Sequence, residues 1–105
     1  MNYTYLADIT EQVQDIPADS IISRTLYSDD RLKTILFSFA TGQELSEHTA
    51  SQPAMLYFVQ GQASLILGDD AQEAGPGTWV HMPAGLPHSI RAKTPVLMLL
   101  LLLTG

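Results

Sequence analysis

Three histidines carry most of the chemistry open to this sequence. Imidazole nitrogen is the commonest protein ligand for metals such as zinc, iron, nickel and copper, and it exchanges protons near neutral pH. His88 follows Pro83-Ala84-Gly85-Leu86-Pro87. A turn built from Pro83 and Gly85 fixes where the chain reverses, so the next side chain is aimed reproducibly. His48 lies forty residues upstream, at the end of a segment led by Gly42. Strand alternation puts His48, Ala50 and Gln52 on one face, and His88, Ile90 and Ala92 on another. If both faces line one barrel, the two imidazoles converge. The same alternation gives Glu44 the parity of His48 and turns Glu47 away. His81 points outward if Val80 and Met82 point inward, so using it as a ligand requires the opposite register.

Other chemistries are excluded or unsupported. There is no cysteine, which rules out disulfides, thiolate metal sites and cysteine nucleophiles. Nothing resembles a Ser-His-Asp arrangement, a phosphate loop or a paired-carboxylate site. Eleven acidic residues against five basic ones give a net charge of −6, with no basic stripe. That balance argues against nucleic acid and against anionic membrane surfaces as partners. The acids are uneven: none lies beyond Glu73. The N-terminal residues have neither a basic segment nor an apolar core, so they do not read as a secretion signal, and the expected location is the cytoplasm. The apolar run Val96–Leu103 has eight residues, where a membrane helix needs about 20. It reads as a buried strand.

Elements that could position the histidines follow from the punctuation. Residues 1–19 are polar and read as an N-terminal arm, in which Asp8 and Glu11 could cap one helical turn. Ser20–Tyr27 and Leu32–Ala40 flank Ser28-Asp29-Asp30, a hairpin pattern. Further apolar runs at Ala54–Gln60, Ala63–Leu67, Thr78–Met82, His88–Ala92 and Val96–Leu103 are separated by Gly, Pro and Asp. With the polar stretch Glu44–Gln52, this gives about eight strands, the spacing of an all-β sandwich or barrel. At 105 residues the chain is expected to form one domain, residues 1–105.

The two histidine segments resemble the motifs of the cupin superfamily, specifically its small single-domain members. The first motif is Gly, five residues, His-x-His, three or four residues, Glu, six residues, Gly; residues 42–61 give Gly42, His48, Ala50, Ala54 and Gly61 at that spacing. The second is Gly, five residues, Pro-x-Gly, two residues, His, three residues, Asn; residues 77–92 give Gly77, Pro83, Gly85, His88 and Ala92. Seven of the ten motif positions match; Ala50, Ala54 and Ala92 depart.

The resemblance implies an all-β double-stranded β-helix, a jelly-roll cupin barrel with a pocket at one end. In full-motif members three His and one Glu hold a metal, and only His48 and His88 carry over. A catalytic metal site usually has three protein ligands and an open position. A divalent metal (Fe, Ni, Zn or Mn) is therefore expected to be weakly bound or absent, with Glu44, Gln52 or His81 as the candidates to complete a ligand set. The expected pocket residues are His48, Gln52, Phe58, Met82 and His88. The primary expectation is a small-molecule binding protein. The alternatives are a metal-dependent dioxygenase or isomerase-like enzyme, and a structural or regulatory dimer module with a filled barrel. Tyr57 and Trp79 fall on the outer face if Phe58 and Val80 lie inside. That covered-surface pattern, with the strand-to-strand pairing common in small cupins, implies a homodimer.

Overall fold

The computed structural model describes residues 1–13 and 15–104. Its strands are β1 (Ile21–Ser28), β2 (Leu32–Phe39), β3 (Glu44–His48), β4 (Ala54–Gln60), β5 (Ala63–Leu67), β6 (Asp70–Ala74), β7 (Trp79–Met82), β8 (His88–Ala92) and β9 (Val96–Leu103). They form two sheets, in the orders β1-β2-β9-β4-β7 and β3-β8-β5-β6. All pairings are antiparallel. The chain passes repeatedly from one sheet to the other, the arrangement of a jelly-roll barrel.

Alternation decides which side chains fill the space between the sheets. Phe39, Leu56, Phe58, Met82, Val96 and Met98 come from the larger sheet, and Ala63, Leu65, Ala74, Ile90 and Ala92 from the smaller; each is at most 2% exposed. The strand β9 does not alternate in character: both faces are covered at Val96–Met98, and Leu99–Leu102 are partly buried. Val96, Met98, Leu100 and Leu102 pair with Phe39, Phe37, Ile35 and Lys33 on the inner face. Leu97 and Leu99 pair with Ser38 and Leu36 on the outer face, where Leu36 and Ser38 are fully buried. Arg24 stands opposite Leu36 and donates to the Gln12 carbonyl at 3.1 Å, which ties the N-terminal arm to this side. Within the arm, Asp8 caps a 3-10 turn, Ile9–Gln12, by accepting from Thr10 N.

Two local features differ from the strand pattern expected of the sequence. The segment Asp70–Ala74 is a strand, whereas its Gly68-Asp69-Asp70 start reads as a turn. Only Ala74 of its five residues is buried, so the strand carries almost no apolar pattern. In addition, β3 ends at His48 and residues 49–53 form a link to β4. Alternation therefore does not extend to Ala50 and Gln52.

Candidate functional site

One end of the barrel gathers the residues of both histidine segments. The 49–53 link joins His48 to Ala54, and the 83–87 link joins Met82 to His88. Gly85 N donates to Ala50 O at 2.8 Å, which ties the two links together. The last inner-face row of the larger sheet at this end is Lys33, Leu102, Ala54 and Met82. The corresponding row of the smaller sheet is His48, His88, Leu67 and Asp70.

His48 and His88 are direct cross-strand partners. Their ring centroids are 4.1 Å apart and the rings are tilted by 59°. His88 is 5% exposed, while His48 is on the open side. Each ring is held by its own strand end. His48 Nδ1 lies 2.8 Å from Ser46 O, and His88 Nδ1 lies 2.9 Å from Leu86 O. A carbonyl oxygen only accepts, so each neutral ring carries its proton on Nδ1 and leaves Nε2 with a free lone pair. This is the orienting bond that fixes the tautomer of metal-ligating histidines.

The remaining expected residues are placed differently from one another. Pairing runs Glu44 to Arg91 and Leu45 to Ile90, then His48 to His88. That leaves two residues on β3 facing one on β8, a β-bulge. The bulge brings His48 back to the inner face after Leu45 and leaves Glu44 beside the exposed Arg91. The shared parity of Glu44 and His48 is thereby broken, and Glu44 faces away from the pair. His81 pairs with Met55 on the outer side of the larger sheet and also faces away. Gln52 is exposed on the link. Met82 is 2% exposed and pairs with Ala54 at the open end. Phe58 is fully buried, but it lies four residues along β4 from Ala54, about 13 Å at strand rise. It belongs to the floor of the barrel rather than to the histidine end.

These donors do not fit a resident metal held by three protein ligands. No group of three or more His, Cys, Asp or Glu that could hold a metal occurs among the described residues. Ala50 and Ala54 cannot ligate, and Ala54 is 1% exposed between Leu102 and Met82. Lys33, on the same inner row, belongs to no motif in the sequence. Its signal was the alternation Lys33, Ile35, Phe37, Phe39, which puts it in phase with core residues.

Comparison with known proteins agrees with this geometry at the level of fold. A cupin-domain family profile matches residues 35–103, and the chain belongs to that family. A conserved protein of unknown function from Streptococcus pyogenes is 30% identical, with a TM-score of 0.85 over 100% of this chain and 91% of that one. A cupin superfamily protein from Desulfitobacterium hafniense is 27% identical, with a TM-score of 0.82 over 88% of this chain and 84% of that one. KdgF from a Halomonas species has a TM-score of 0.84 at 19% identity, covering 100% of this chain and 96% of its own; that likeness shows the fold alone. No curated protein matches the sequence significantly.

Proposed function

We propose that this cupin binds a small molecule at the open end of its barrel, through the Nε2 atoms of His48 and His88 and without a resident metal. The observation that carries this reading is the pair of Nδ1 bonds to Ser46 O and Leu86 O. They leave two proton-free Nε2 acceptors on rings whose centroids are 4.1 Å apart, so the ligand presents a hydroxyl or N–H donor. The floor beneath is filled by Leu56, Phe58 and Met98, which favours binding at the rim. A divalent cation taken up there would have two imidazoles as its only protein ligands and would exchange readily.

The test combines ring ¹⁵N spectra with metal analysis of the untagged protein. Both rings are expected as Nδ1–H tautomers, with metal well below one equivalent. Stoichiometric iron, nickel, zinc or manganese that vanishes in both His48→Ala and His88→Ala would overturn the proposal, as would Nε2–H tautomers.

We also infer that a second copy of the chain covers the outer face of β4 and β7. There Tyr57 and Trp79 are cross-strand partners, yet they are 40% and 60% exposed. Cross-strand aromatics of this size left open to water are unusual on a monomer.

A further inference from the structure

Lys33 is the one basic residue in the two inner-face rows at the histidine end, and its surroundings bear on what the site takes. Its register with Leu102 is unbroken: Phe39, Phe37, Ile35 and Lys33 pair with Val96, Met98, Leu100 and Leu102 in turn. Lys33 thus projects from the core side of β2, in the row that leads through Leu102 to Ala54, about 10 Å away at strand spacing. It is partly buried. Among the described residues the only ion pair is Lys93 with Glu73, so Lys33 has no acidic partner there. A partly buried lysine beside leucines lays its stem along them while its head reaches water or an anion.

The acids at this end do not supply that anion. Asp29 is occupied: its carboxylate accepts from the Tyr27 hydroxyl at 2.6 Å and from the amides of Arg31 and Leu32 at 2.8 Å. Asp30, Glu47 and Asp69 are exposed, on or beside the connecting turns. Asp70 is the one carboxylate in the two rows, and it stands on β6, the far edge of the smaller sheet. The position where the full family motif has Glu is Ala54, so the larger sheet's row offers Lys33 no acid.

We propose that the ligand is a small carboxylic acid that also carries a hydroxyl or N–H donor on an apolar body. Lys33 pairs with the carboxylate, His48 and His88 Nε2 accept from the donor, and Leu67, Met82 and Leu102 face the apolar part. This assignment rests on the binding site proposed above and names its ligand class.

The experiment is a paired titration with mandelate and mandelamide, which differ in charge but share the hydroxyl and the ring, followed by NMR. Both are expected to shift His48 and His88 resonances, with mandelate binding about tenfold more tightly, as for one added charge-assisted bond. Lys33→Met should remove that preference by weakening mandelate to the level of mandelamide, and Lys33→Arg should retain it. Equal affinities in the wild type, or a preference that survives Lys33→Met, would overturn the role of Lys33 and leave the histidine site standing. If neither probe shifts His48 or His88, both proposals fail.

Discussion

Ser46 and Leu86 act on the histidines through their carbonyls, so their side chains do not decide the histidine tautomers. The spacing of His48 and His88 was legible in the sequence, and so was their convergence. The backbone bonds that choose the tautomer were not, because they depend on how each strand ends rather than on residue type. Gly61 shows the opposite case, a residue whose identity is forced. It has φ +90, and an added Cβ would overlap the Pro95 carbonyl oxygen and come within 2.9 Å of Val96 Cα. Backbone cannot yield as a flexible side chain does. Gly61→Ala is therefore expected to destabilise the fold by roughly 2–4 kcal/mol. Gly85, with φ +83 and open space around its Cβ position, should lose only about 1 kcal/mol on the same change. Denaturant unfolding of the two variants side by side measures the difference, and equal losses would contradict the overlap argument.

At the level of elements, what the sequence hid was irregularity. Alternation correctly put Phe58, Met82 and Ile90 inside, because each lies in a regular stretch. It failed for Glu44, since a bulge adds one residue without any mark in composition. It also missed β6, whose outward positions are polar and whose single buried side chain is an alanine. The β1–β2 hairpin, by contrast, is fixed by side-chain chemistry that can be titrated. The hydrogen bond from Tyr27, then those from the Arg31 and Leu32 amides, hold the Asp29 carboxyl below its ordinary 3.8. The same bond, followed by the nearby Asp29 charge, pushes the Tyr27 phenol above its ordinary 10.0. The Asp29 contribution is present above pH 3.8 and lost as pH falls through the depressed value. The Tyr27 contribution is present below pH 10.0 and lost as pH rises through the elevated one. Alkaline ultraviolet titration should show one late-ionising tyrosine, which returns toward the others in Asp29→Asn. No change in that variant would mean the bond does not form in solution.

For the whole molecule, charge and apolar surface are segregated along the chain. All eleven acidic residues lie before Ala74, and none of the outer-face residues Met55, Tyr57, Trp79, His81, Leu99 and Leu101 is an Asp, Glu, Lys or Arg. Copies that repel elsewhere can meet on this face without desolvating an ion. Light scattering is expected to give twice the 11.5 kDa chain mass, falling to the single-chain value in Trp79→Ser at micromolar concentration. A wild-type monomer would remove the basis for a self-association face.

The larger sheet also sets the order in which this molecule can be made. Its middle strand, β9, is hydrogen-bonded to β2 on one side and β4 on the other, yet β9 is the last of the nine strands to be synthesised. Until it emerges, the β1–β2 and β4–β7 pairs have no strand to join them, and the larger sheet is two separate halves. The smaller sheet can pair before that point, but the larger one closes only in a late step that joins its two halves through β9.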